Sequence, residues 1–263
     1  MAAVTFRGGI LWLGSVALSG CFSVPQLEAD VGYAPLRLSG NFGYQENPTD
    51  GPRDGAPVSI RQDVESAFGL GDRQGSPYGR LALDLGSPVL SVSGFQFQDS
   101  GDGVLQADFG SGLAAGTPVY SELELVNVKA ALAFDIALGP VALSPGLAVD
   151  YLGLDLAVED VLGVRREQLD FQAPLPLPFL RGAVDLGLAK FTAELGYLEL
   201  DISDVRAKVL DAEALLHVRP WRLLDLFVGY RYLQFAGRGE IDGKRADFDL
   251  NLGGFLVGGG IVF

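Results

Sequence analysis

From Leu223 to Phe235 apolar and polar side chains alternate: Leu224, Leu226, Val228, Tyr230 and Tyr232 fall on one face, and Asp225, Gly229 and Arg231 on the other. A period of two is that of a strand whose faces lie in different surroundings. The final stretch, Ala246 to Phe263, places Phe255, Val257, Gly259, Ile261 and Phe263 on one face. The cleanest run sets Val126, Val128, Ala130, Leu132, Phe134, Ile136 and Leu138 against Asn127, Lys129, Ala131, Ala133 and Asp135. Its length suits the roughly 9 to 11 residues of a tilted membrane strand. Short turns at one end of the strands and long polar loops at the other complete the pattern of an all-β, antiparallel up-and-down transmembrane β-barrel.

Taken in order, Met1 to Gly20 predicts an export signal, with Arg7 followed by an apolar region from Ile10 to Leu18. Leu18-Ser19-Gly20-Cys21 fits a lipobox, in which Cys21 is acylated and becomes the new N-terminus; ordinary cleavage after Ser19 is the alternative. Residues 21–33 read as a tether and 34–263 as the barrel. The first strand is expected to send Leu36, Leu38, Gly40, Phe42 and Tyr44 to lipid and Arg37, Ser39, Asn41, Gly43 and Gln45 inward. Glu46 to Pro77 reads as a loop closing over the barrel mouth, with Val64, Ala67 and Phe68 at helical spacing inside it. Parity changes near Gly94, suggesting a bulge, and near Leu152. The loops predicted at Asp99 to Pro118, Glu159 to Ala173 and Gly237 to Arg245 are polar, and Pro174, Pro176 and Pro178 should delay the next ladder until Leu180. Val205 to Val218 reads as a strand, although its Ala, Leu and Glu content also suits a helix. The count is ten strands, with eight as the alternative. An even number returns both ends to one side, which the short turns mark as periplasmic.

The terminal Phe263 with its alternating neighbours, the segment Ala173 to Gly182 and the segment Leu226 to Leu233 resemble small bacterial outer-membrane barrels of the OmpA, OmpX and OmpW type. The resemblance implies an outer-membrane location with periplasmic termini and extracellular long loops. It also implies that Phe263 is read by the barrel-assembly machinery, and that lipid and lipopolysaccharide are the surroundings. Phe22 after the cysteine resembles lipoproteins sorted to the outer membrane. Trp221, Phe191 and Phe263 are expected at the periplasmic girdle, and Tyr44, Tyr120 and Tyr232 at the other.

Composition narrows the function. The formal charge of −14 lacks the basic footprint of a nucleic-acid binder. Asp99 to Gly103 lacks the spacing and terminal Glu of a calcium loop, and Gly110-Ser111-Gly112 is not set between strand and helix as a phosphate cradle. No cofactor or metal is expected. The inward-facing set is Arg37, Arg80, Asp84, Lys129, Asp135, Asp150, Arg181, Asp185, Glu194, Asp211, Glu213, His217, Asp225 and Arg231. Interleaved charges in a narrow barrel predict a plugged lumen, with Arg231 beside Asp225, Arg181 beside Asp185, and His217 served by Asp211 and Glu213. Three functions follow: a structural, anchoring or surface-binding barrel; a narrow conduit for small or hydrophobic solutes; or a lipid or peptide hydrolase. The last is disfavoured because His217, the only histidine, falls near the periplasmic rim.

Overall fold

In the computed structural model, which describes residues 25–46, 61–202, 205–241 and 244–263, ten long strands form one closed antiparallel ring. They are β1 (Gln26–Glu46), β3 (Arg73–Asp84), β4 (Val89–Val104), β5 (Pro118–Ala133), β7 (Val141–Asp160), β8 (Arg166–Asp185), β9 (Ala189–Ile202), β10 (Val205–Trp221), β11 (Leu224–Ile241) and β12 (Lys244–Val262). Two short pieces, β2 (Gln62–Asp63) and β6 (Ile136–Leu138), and a helix, α1 (Val64–Phe68), complete the elements among the described residues. Each long strand pairs with its chain neighbour, and β12 returns to β1 in register from Glu28↔Val262 to Glu46↔Lys244. Closure removes the exposed edge that an open sheet would carry. The expected signal segment and Cys21 lie outside the described residues.

The wall carries two polarity codes. Nearer the short turns, apolar side chains point out: Leu81, Val92, Leu132, Leu147, Leu195, Leu216, Val228 and Val257 are exposed, while polar side chains such as Ser91, Asn127 and Lys129 are buried. Farther up, the code reverses. Leu36, Leu38, Phe97, Leu125, Leu154 and Leu250 are buried inside, and Gln96, Gln98, Glu122, Glu124 and Gln168 are exposed outside. Tyr33, Tyr151, Tyr197, Tyr230 and Phe255 stand on the outer face at the change.

This reversal corrects several expectations. β1 begins at Gln26 rather than Ala34, so much of the expected tether is strand. Leu36, Leu38, Phe42 and Tyr44 point inward and Arg37 outward, the opposite of the expected facing. Alternation gives two faces but not which one points outward, and this part of β1 lies above the change. Gly94 holds no bulge, because β4 pairs with β5 without interruption from Val89↔Ala133 to Val104↔Pro118. What changes near Gly94 and Leu152 is the polarity of the face, with the strand continuing straight on.

The expected loops at Glu159 to Ala173 and Gly237 to Arg245 are mostly strand; Arg166, Asp170 and Arg238 are exposed on the outer face above the belt, whereas Glu167 is buried and accepts from Ser111. Pro174, Pro176 and Pro178 lie inside β8 in register with Tyr151, Val149 and Leu147 of β7. Proline lacks the donor a ladder needs, and β8 pairs with β9 only from Phe179↔Gly196 to Asp185↔Lys190. Val205–Trp221 is strand β10, as expected.

Near the top, β3 pairs with β4 no higher than Tyr78↔Phe95, and α1 packs against β1, β2 and β4. The backbones meet where side chains are missing. A Cβ on Gly101 would lie 2.0 Å from the Gly69 carbonyl oxygen, and one on Gly103 2.3 Å from that of Ala67. Val64, Ala67 and Phe68 are buried, as their spacing predicts, and Phe68 meets Phe42 and Phe109 at centroid distances of 6.3 and 5.3 Å. An apolar plug thus fills the upper barrel.

Candidate functional site in the lumen

The lower lumen is set by inward positions on β1, β3, β5 and β7 to β11. Arg231 of β11 is at its centre and only 1% exposed. Its Nη2 donates to Asp211 Oδ2 at 2.9 Å and Asn127 Oδ1 at 2.6 Å, and its Nη1 to Glu213 Oε2 at 2.9 Å. The guanidinium also stands 5.0 Å from the Phe95 ring centre. Arg80 of β3 reaches across to Glu213 at 2.9 Å and Glu194 at 2.5 Å. Lys129 of β5 lies 3.2 Å from Glu194 and 3.5 Å from Asp211. Five strands thus share one chain of ion pairs: β3, β5, β9, β10 and β11. Removing a single member would leave a buried charge without its counterpart.

Asn127 also donates to Asp150 at 2.5 Å. Nearer the turns, Asp135 accepts from Ser144 and from Arg181, the latter at 3.4 Å. Below these, Glu28 accepts from Lys190 at 2.7 Å and Arg219 at 2.5 Å. His217 Nδ1 lies 2.8 Å from Asp225 Oδ2, with Asp30 beside them.

The structure brings together Arg80, Lys129, Asp150, Glu194, Asp211, Glu213 and Arg231 as a connected interior set. His217 and Asp225 lie beneath it. Four expectations are corrected. Arg37 lies outside, donating to Glu65 at 3.0 Å and to the Gly71 carbonyl at 2.8 Å. Asp84 and Asp185 turn away from the network to accept from Gly86 and Gly187 backbone N–H groups at the strand ends. Arg231 pairs with Asp211 and Glu213 rather than Asp225, and Arg181 with Asp135 rather than Asp185. His217 is paired with Asp225, not with Asp211 or Glu213. Alternate residues on one strand are separated by nearly 7 Å, whereas neighbouring strands are closer than 5 Å, so cross-strand partners prevail. Of the expected upper-girdle tyrosines, Tyr44 is buried.

Sequence reasoning missed Glu28, Asp30, Lys190 and Arg219, having placed them in a tether or in turns. A signal was present: Leu27, Ala29 and Val31 alternate with Glu28 and Asp30, continuing the barrel pattern backwards.

The closed ring with its packed interior and apolar outer belt defines an antiparallel up-and-down β-barrel. No protein-family model and no curated protein sequence matches the chain. Among solved structures, the chain is similar to the outer membrane protease OmpT of Escherichia coli, at 10% identity and TM-score 0.49, over 90% of this chain and 96% of that one. It is also similar to the attachment invasion locus protein Ail of Yersinia pestis, at 11% identity and TM-score 0.36, over 92% of this chain and 100% of that one. A third is the toluene transporter TodX of Pseudomonas putida, at 8% identity and TM-score 0.30, over 90% and 89% of the two chains.

Proposed function

We propose that this chain is a bacterial outer-membrane barrel with a closed lumen, serving as a structural or anchoring element or as a surface that binds from outside. The observation that carries this reading is the filled interior: an ion-pair network below and an apolar plug above. The exposed belt of Leu, Val and Phe supports a bilayer setting, because a closed barrel satisfies its backbone internally. In this reading both termini and the short turns are periplasmic, and a lipid on Cys21 inserts beside β1. Planar-bilayer recording from the purified protein tests it. Silence, or only rare transient openings, is expected, and large steady conductance would overturn it.

A conduit for small hydrophobic solutes is the second reading, favoured by the end of the β8–β9 ladder at Phe179↔Gly196. Above that point Leu175 and Leu198 of the two strands pack against the apolar core without a shared ladder. Uptake of a hydrophobic dye into vesicles that depends on Pro174, Pro176 and Pro178 would favour it. Hydrolysis is not part of the proposal: His217 lies at the short-turn end, beside Asp225 and packed against Phe227. Lipid A of unchanged mass in cells with and without the protein is the expected result.

A further inference from the structure

We propose that Asp30, His217 and Asp225 form a site for one divalent first-row cation of the zinc class, inside the lumen near the short turns. This goes beyond the role proposed above, since a closed barrel needs no such ion.

The three residues stand on different strands, β1, β10 and β11, and one donor atom of each lies within 4.8 Å of the others. The convergence has a backbone cause. Asp30 and Asp225 are both in register with Gly260 of β12, from its two sides. A Cβ at that glycine would fall 2.1 Å from Asp30 Oδ1, so the missing side chain leaves the space that the carboxylate occupies. His217 completes the group from the strand beyond Asp225.

A second observation points to a ligand. Asp30 is only 3% exposed, yet among the described residues neither of its carboxylate oxygens has a hydrogen-bond partner. Among the same residues Oδ1 of Asp225 also has none, in a fully buried side chain. An ionised carboxylate out of water and unpaired is costly enough that it takes up either a proton or a cation. The nearby cations form their close pairs elsewhere, and only Arg219 also reaches the group, at the edge of ion-pair distance. Lys190 and Arg219 serve Glu28, Arg80 serves Glu194 and Glu213, and the Arg219 Nε is 3.9 Å from Asp225 Oδ2.

The charge balance agrees. In the lower lumen Arg80, Lys129, Arg181, Lys190, Arg219 and Arg231 face Glu28, Asp30, Asp135, Asp150, Glu194, Asp211, Glu213 and Asp225. That is six cations against eight carboxylates among the described residues, a deficit that one divalent ion would fill. One imidazole nitrogen with two carboxylate oxygens is a borderline donor set, suited to zinc and its neighbours rather than to calcium or magnesium, which take oxygen alone. Three protein ligands leave a fourth position for water.

The test uses the full chain without a histidine tag, folded in detergent, stripped with chelator and titrated with zinc against a competing chromogenic chelator. One equivalent per chain and a raised unfolding temperature are expected. Asp30→Asn is the informative variant, because the Asp30 side chain makes no hydrogen bond to the described residues. It should fold at least as well as the wild type without metal, and bind zinc at least tenfold more weakly. X-ray absorption should show nitrogen and oxygen donors with one imidazole, which only His217 can supply, and His217→Gln should remove that signature. No zinc uptake, equal uptake by Asp30→Asn, or sulfur in the first coordination sphere would each overturn the proposal. In the first two cases a proton shared among the three residues would be the remaining explanation for the cluster.

Discussion

Leu27 and Phe263 exchange both of their backbone hydrogen bonds, Leu27 N–H donating to the Phe263 carbonyl at 3.0 Å and Phe263 N–H to that of Leu27 at 2.9 Å. The last residue of the chain is therefore the first rung of the seam between β12 and β1. Deleting Phe263 should lower the yield of folded, heat-modifiable protein on gels. Unchanged migration and yield would mean the seam forms without it. Placing Arg at the outward Val257, which is 56% exposed on the same strand, should cost about 2 to 4 kcal/mol where it meets the bilayer midplane.

Arg231 is the residue whose loss should hurt most. Arg231→Met leaves Asp211 and Glu213 buried without their main counter-charge and should destabilise the barrel by about 3 to 5 kcal/mol in denaturant unfolding. Combining it with Asp211→Asn and Glu213→Gln should recover part of that loss. A triple variant as unstable as the single one would argue against charge pairing as the cause.

The contact between β4 and α1 makes a steric prediction. Gly103→Val puts a side chain where the Ala67 carbonyl lies, so α1 must move, at a cost on the order of 1 to 3 kcal/mol. Hydrogen exchange across residues 61–70 should accelerate, while exchange in β11 and β12 should hold.

At the start of α1, Asp63 accepts from the Ser66 N–H at 2.9 Å, and that bond holds its carboxyl below the ordinary carboxylate value. A group whose folded value is depressed contributes stability above its unfolded value and loses it as pH falls through the folded one. Protection of α1 against exchange should therefore be level above about pH 4 and weaken below it. Asp63→Ala should remove that pH dependence and cost about 1 kcal/mol of local stability.

Acylation at Cys21 is checked by metabolic labelling with a palmitate analogue. The wild type should take up label and Cys21→Ser should not; equal labelling of the two would remove the lipid anchor from the proposed membrane arrangement.

Much of the barrel was legible because alternation is local. Val126 to Ala133 and Leu224 to Tyr232 declare their two faces without reference to any other strand. The polarity reversal in β1 was not legible in this way. Leu36 and Val257 are equally apolar, but one sits in the plug and the other on the belt, and only the height of each in the barrel separates them. Partner choice was similarly hidden. That His217 meets Asp225 follows from the offset between β10 and β11, set by the irregular register between Val218 and Trp221. Glu28 and Asp30 were lost for a different reason: polar residues near an export signal resemble a spacer until a partner strand is seen beside them.

The reversal of polarity partway up the wall also sets the stature of the molecule. β7 continues from Tyr151 to Asp160 with acids and glycine on its outer face. At about 3.3 Å per residue and roughly 40° of tilt, some 20 Å of wall would rise beyond the hydrocarbon. A lipid headgroup region occupies only about 5 to 8 Å on each side. The barrel in this setting ends in a self-supporting collar, sealed by its own aromatic residues and wettable outside. Connections as short as residues 161–165 are then lifted clear of the lipid heads, and length of wall takes the place of length of loop.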